Sequence, residues 1–260
     1  MPVYQDQMNR SVEVPSIPKR ILSIVPSQTE LLFDLGLDNE IIGITKFCIH
    51  PFDKVKSKIK VGGTKTLGTD LIKKLKPDLI IGNKEENERS QVEELMELFP
   101  VWMSDIADLS GAIDMIQRVG EIVNRDKEAE KLVRSIRLGF DALNINTQGL
   151  RVAYLIWRKP YIIAGKGTFI DDMLQKCSLV NAFDTARYPE VTTEQLIAAR
   201  LDIVLLSSEP YPFKEKHITE FKTILPGSIV KLVDGELFSW YGSRLLHAPS
   251  YFEELSKLIR

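Results

Sequence analysis

Compact apolar runs and amphipathic segments alternate along this chain, with turn residues between them. Arg20–Val25 (RILSIV), Leu79–Gly82, Arg151–Trp157 (RVAYLIW), Asp202–Leu206 and Ser228–Leu232 have the near-continuous apolar character of buried parallel strands. Glu40–Ile44 and Val101–Met103 read as shorter strands. Apolar residues at steps of three and four predict helices over Thr69–Leu75, Ser90–Leu98, Leu109–Val123, Thr168–Cys177, Val191–Ala199, Glu215–Ile224 and Gly242–Ile259. Ser27-Gln28-Thr29-Glu30 has the spacing of a capping box, which predicts a helix over Leu31–Leu35 stopped by Gly36. Residues 3–14 read as a polar hairpin turning near Met8-Asn9-Arg10, bounded by Pro15 and Pro18.

One amphipathic segment organises the rest. In residues 127–145 the apolar positions Ala129, Leu132, Val133, Ile136, Phe140 and Leu143 form a single stripe, and Glu130→Arg134 is a favourable i,i+4 pair. As a helix it would span roughly 28 Å, about the width of a small domain. The halves on either side resemble each other. Residues 69–81 (TDLIKKLKPDLII) lie without gaps on residues 193–205 (TEQLIAARLDIVL), each an N-cap threonine, amphipathic helix, acidic turn and strand, and RILSIV pairs with RVAYLI. The pattern predicts an α/β fold of two lobes, each a mainly parallel sheet flanked by helices. The lobes span 1–126 and 147–260, with the helix 127–146 as a strut between them.

Composition narrows the function classes. The 260 residues are 44% apolar and 27% charged, which fits a globular chain of one or two domains. The net charge of −2 gives no global basic field, so no nucleic-acid partner is expected. No apolar run approaches a membrane span, and the first residues lack a secretory signal, so the chain reads as cytoplasmic or as a mature or truncated exported form. Cys48 and Cys177 fall in different lobes and are expected as free thiols. No phosphate-binding loop, nucleophile elbow, H-E-x-x-H or C-x-x-C is present, so no cofactor is expected and the chain does not read as an enzyme. Cys48-x-His50 is the one pair with metal-ligand character, though two ligands do not close a site.

Ligands of parallel α/β sheets bind outside the carboxyl ends of the strands. In this chain those ends carry many aromatics beside cations, as in Trp157-Arg158-Lys159, Arg187-Tyr188 and Trp240-Tyr241-Gly242-Ser243-Arg244. Such loops point to a wide, partly anionic ligand held by stacking and charge. Phe238 and Tyr161 are expected to cap the lobe cores instead.

The segments PKRILSIVPSQTELLFDLG (18–36), LKPDLIIGNKEEN (75–87), WRKPYIIAGKGTFIDDML (157–174), RYPEVTTEQL (187–196) and DGELFSWYGSR (234–244) carry a resemblance over nearly the whole chain. It resembles the substrate-binding proteins of ABC importers for cobalamin, haem and ferric siderophores. The resemblance implies two lobes on a rigid helical backbone, a periplasmic or other extracytoplasmic location, a metal chelate as ligand and an ABC permease as partner, with the protein a monomer. It places ligand contacts at Phe47 and Tyr188, to which the residues add Cys48, His50, Trp157, Arg158, Arg187, Trp240, Tyr241 and Arg244. Permease docking falls on Glu194 and, in the first lobe, on Arg89, with the acids Glu86 and Glu88 just before it. Asn83 stands where the cobalamin-binding relative has a stacking tryptophan, which argues against cobalamin itself. Cys177 matches a family cysteine whose partner is absent, so no disulfide is implied. The alternative is an intracellular metal-handling protein or metal-dependent enzyme using Cys48 and His50 on the same scaffold.

Overall fold

The computed structural model describes residues 1–14, 17–147 and 149–259, and the architecture below is that of these residues. Pro15, expected to bound the hairpin, lies outside them. The chain divides into two compact units, one of residues 1–106, 110–135 and 241–244, the other of residues 107–109, 136–240 and 245–260.

The first unit opens with the hairpin β1 (Val3–Gln5) and β2 (Ser11–Glu13), paired antiparallel. Its turn is closed by Asp6, whose buried carboxylate accepts from the Met8 and Arg10 amides at 2.9 and 2.8 Å while Asn9 takes a positive φ. Then follow β3 (Ile21–Ser23), α1 (Pro26–Asp34), β4 (Ile41–Ile44), α2 (Phe52–Val55), β5 (Ile59–Lys60), α3 (Thr69–Leu75), β6 (Leu79–Asn83), α4 (Arg89–Met96), β7 (Val101–Ser104), α5 (Leu109–Ile122) and α6 (Asp126–Asp141). The strands form a parallel sheet in the order β5-β4-β3-β6-β7. The chain leaves β3 to one side and later returns to its other side, which makes the carboxyl end of β3 the topological switch point.

The second unit contains β8 (Arg151–Trp157), β9 (Tyr161–Ile163), α7 (Phe169–Lys176), β10 (Val180–Asn181), β11 (Glu190–Val191), α8 (Thr193–Ala198), β12 (Ile203–Ser207), α9 (Glu215–Ile224), β13 (Ile229–Val233), α10 (Glu236–Ser239) and α11 (Ala248–Leu258). Its sheet runs β11-β9-β8-β12-β13, with β10 beside β8. The β8, β10, β12 and β13 strands are parallel, and β9 and β11 are antiparallel additions at one edge. Tyr154, Phe221, Phe238 and Phe252 are completely enclosed in this unit.

The internal repeat extends to single hydrogen bonds. Lys76 and Arg200 both take the left-handed conformation after their helices, at φ 47° and 50°. Asp78 then accepts from the Lys19 and Arg20 amides at 2.7 and 2.8 Å, and Asp202 accepts from the Arg151 amide at 2.7 Å. The guanidinium of Arg20 donates to the Leu75 and Lys76 carbonyls, and that of Arg151 to the Ala199 carbonyl. Each unit thus uses one arginine at the head of its central strand, Arg20 just before β3 and Arg151 as the first residue of β8, to cap the helix that leads into the neighbouring strand.

Several helix ends differ from the sequence expectation. Helix α1 begins at Pro26, with Val25 as an uncapped N-cap residue, so Ser27 lies inside the first turn and forms no capping box. Proline at the first helical position already lacks the amide that a cap would satisfy. Gly36 does follow the helix at φ 78°. Thr69 and Thr193 are both first helical residues, after Gly68 and Thr192, and the box belongs to Thr192 with Gln195. The α6 helix ends at Asp141, short of 145, and its buried residues are Ala129, Val133, Ile136 and Phe140. Gly120 of α5 admits its neighbour closely, since a Cβ there would lie 2.3 Å from the Ala129 Cβ. The closing helix is broken into a 3-10 turn, Ser243–Leu246, and α11 with Pro249 in its first turn. Among the described residues no helix is long and apolar enough to cross a membrane.

Candidate functional site

In the first unit the carboxyl ends of β3, β6 and β7 carry a buried polar network. Asn83 sits at its centre, donating through Nδ2 to Ser104 Oγ at 3.0 Å and accepting through Oδ1 from the Glu85 amide at 2.8 Å. Gln28 donates to the same Ser104 hydroxyl, and Asn87 donates to the Ile24 and Thr64 carbonyls. Asn83 is 1% exposed, so it shapes the β6 loop from below.

The loop after β4 divides residues by role. Phe47 and Ile49 stand exposed, at 51% and 47%, with Lys46 Nζ 5.1 Å from the Phe47 ring centroid. Cys48 between them is buried. Its Sγ lies 3.1 and 3.2 Å from the hydroxyls of Thr29 and Thr45, and burial pushes its pKa up despite those bonds. His50 is half-buried. Among the described residues no three His, Cys, Asp or Glu side chains come together to hold a metal ion. The Cys48/His50 pair therefore has no third ligand there, and its sulfur is engaged by threonines.

Residues 241–244, which pack with the first unit, are anchored rather than presented. Buried Tyr241 donates its hydroxyl to Glu86 Oε1 at 2.8 Å. Arg244 holds Glu30 through two bonds, Nε to Oε2 at 2.8 Å and Nη2 to Oε1 at 2.6 Å. Glu86 is thus occupied, whereas Glu88, at the head of α4, is exposed. Arg89 pairs with Glu93 at 2.7 Å on the same helix.

In the second unit Trp157 ends β8 with 40% of its surface exposed, and the Tyr211 ring meets it edge-on at 5.8 Å. Beside them Glu220 accepts from Arg158 at 2.9–3.2 Å and from the Tyr161 hydroxyl at 2.8 Å. Burial acts to raise the Glu220 pKa, but these bonds outweigh it and hold the carboxyl below its ordinary value. Burial, then Glu220, lifts the Tyr161 phenol to about 12. The Arg187 guanidinium lies 6.0 Å from the ring of exposed Tyr188. Trp240, expected in a ligand-facing loop, is 7% exposed and donates Nε1–H to Glu209 Oε1 at 2.9 Å. Glu209 also accepts from the Ser239 hydroxyl at 2.6 Å, and burial raises its pKa. Phe238 is enclosed and Tyr161 packs on the core, as their positions foretold. Glu194 lies exposed in the first turn of α8, its pKa lowered by the Thr192 hydroxyl.

Phe47 after β4 and Tyr188 before β11 thus stand as exposed rings near cations, and Trp157 as an exposed ring at the carboxyl end of β8, while Trp240, Tyr241 and Arg244 serve the packing. Glu209 and Glu220 were missed as organising acids. The only sequence signal for them was an acid near conspicuous aromatics.

A family model for periplasmic binding proteins matches residues 21–223, and the chain belongs to that family. Its relatives include an ABC transporter substrate-binding lipoprotein of Bacillus subtilis, 24% identical over 214 residues, covering 77% of this chain and 67% of the relative. A vitamin B12-binding protein of Vibrio vulnificus is 27% identical over 204 residues, covering 76% and 74%. Among solved structures, a periplasmic haem-binding protein in complex with two haems superposes with a TM-score of 0.81 at 24% identity, over 93% of this chain and 99% of that one. The molybdate-binding protein of Haemophilus influenzae also reaches 0.81 at 13% identity, over 100% and 91%. These superpositions show a shared fold across ligands of very different size.

Proposed function

We propose that the protein is the substrate-binding component of an ABC importer for a metal chelate of the broad class that includes ferric siderophores, corrinoids and haem. The observation that carries this reading is the set of exposed rings beside cations at strand ends, in a chain of this family. In the second unit Trp157 and Tyr188 are the rings suited to stacking on a chelate's apolar faces, with Arg187 suited to its acidic groups, and Phe47 with Lys46 is the like pair of the first unit. Arg158 would act less directly, because Glu220 already holds it. Glu194 and Glu88 are the exposed acids suited to docking on a permease, whereas Glu86 is held by Tyr241. Cys48, enclosed by two threonines, gives the metal-enzyme alternative no support.

The test is titration of the purified protein with haemin, aquocobalamin and a ferric tris-catecholate, followed by tryptophan quenching. One of these classes should saturate the protein, and failure of all three would remove the proposal. Trp157→Ala should weaken the bound chelate by about 1–3 kcal/mol, roughly five- to 150-fold. An unchanged dissociation constant would take Trp157 out of the site. Glu194→Lys should leave that constant unaltered and reduce ligand-stimulated ATP hydrolysis by the permease in vesicles. Loss of affinity together with coupling would instead mean that the substitution damages its unit.

A further inference from the structure

After β12 the chain makes a turn, residues 208–214, that carries Tyr211 and Phe213 and ends at the head of α9. The Tyr211 amide donates to the Ile156 carbonyl at 3.2 Å, its ring meets Trp157 at 5.8 Å, and Phe213 meets it edge-on at 4.8 Å. His217, third residue of α9 and 3% exposed, lies behind both rings, 5.6 Å from Tyr211 and 5.4 Å from Phe213.

The imidazole is committed to one protonation state by what it accepts. Its Nδ1 takes the Lys214 amide N–H at 2.8 Å, the role that Glu or Gln plays in a capping box. Nδ1 therefore carries a lone pair, and Nε2 of the neutral ring carries the hydrogen, 3.5 Å from the Tyr211 hydroxyl. A proton added at Nδ1 would set one N–H against another. The charged and titratable groups around the ring are Arg158 from the end of β8, Tyr211 from the turn, and Lys214, Lys216 and Glu220 from α9 and its head. Glu220 is the one acid among these, and Arg158 and Tyr161 already engage it.

We infer that His217 is a proton-sensitive brace: neutral, it ties the 208–214 turn to α9 and holds Tyr211 and Trp157 as an ordered aromatic ledge, and protonated, it releases them. Burial, then Arg158 and Lys216, hold its pKa below the ordinary histidine value. A depressed folded-state value means the brace contributes fully above about 6.5, the unfolded value, and is lost as pH falls from there through the folded value. The bearing of the ledge on chelate capture rests on the proposed function, but the brace itself does not.

The test uses ligand-free full-length protein. The indole N–H signals of the tryptophans and the ring C–H signals of the histidines are followed by NMR on acidification, with Trp157→Phe identifying the Trp157 indole. The Trp157 signal should titrate with the midpoint of His217, below about 6.5, while that of enclosed Trp102 stays fixed. In His217→Gln, whose amide oxygen can still accept from Lys214, the Trp157 titration should vanish and its signal should keep its neutral-pH position. A Trp157 signal that stays put while His217 protonates would overturn the inference, as would one that titrates unchanged in His217→Gln. If the variant fails to fold, the agreement or disagreement of the two wild-type midpoints decides alone.

Discussion

Trp240→Ala will destabilise the protein by about 3–5 kcal/mol. Trp240 is 7% exposed, so its truncation leaves a cavity. It also removes a donor to the buried Glu209 carboxyl, which accepts from the Ser239 hydroxyl as well. An acid deprived of a partner in such surroundings bears a desolvation cost beyond the lost packing. Trp240→Phe keeps most of the ring and lacks the N–H, so it should lose a smaller part. Urea melts at neutral pH with an unchanged m-value would measure both. A loss under about 1 kcal/mol in the alanine variant would show that the ring is not packing core.

Arg244→Ala should cost about 3–5 kcal/mol. Arg244 and Glu30 each keep only 14% of their side chains exposed, and two short bonds join them. Removing the cation strands the carboxylate on α1. The paired replacement Glu30→Gln with Arg244→Met should recover most of the loss, because a neutral pair of similar volume carries no stranded charge. Failure of the double variant to recover would mean that backbone contacts of residues 241–244, and not the ion pair, hold this segment.

Local chemistry made much of the fold legible. The repeat at 69–81 and 193–205 stood out because helix, turn and strand each have their own periodicity, and the same order recurs twice. The Arg20 and Arg151 clamps then follow from the acids already visible at 78 and 202. Strand β9, between β11 and β8, was hidden because its three residues follow Lys159-Pro160 and fall below the length at which alternation can be read. The capping box failed for a different reason. Glu30 had the right local spacing, but its carboxylate goes to Arg244, 214 positions away, and no window along the chain contains both.

The site was less legible than the fold, since an aromatic beside a cation reads the same in sequence whether it faces solvent or packing. Trp157 with Arg158 and Trp240 with Arg244 look alike on paper. Trp157 stands 40% exposed, whereas Trp240 is nearly covered with its indole on a carboxylate. The partner acids, Glu220 and Glu209, decide which cation or ring is already engaged, and they come from other segments.

Both natural thiols are shut away, Cys48 between two threonine hydroxyls and Cys177 in an apolar setting whose burial raises its pKa far above the ordinary range. Thiolate, the form that attacks maleimides and oxidants, is scarce at both. Dye pairs for distance measurements can therefore be attached through cysteines introduced on the surface, with the natural pair left in place and the wild-type packing undisturbed.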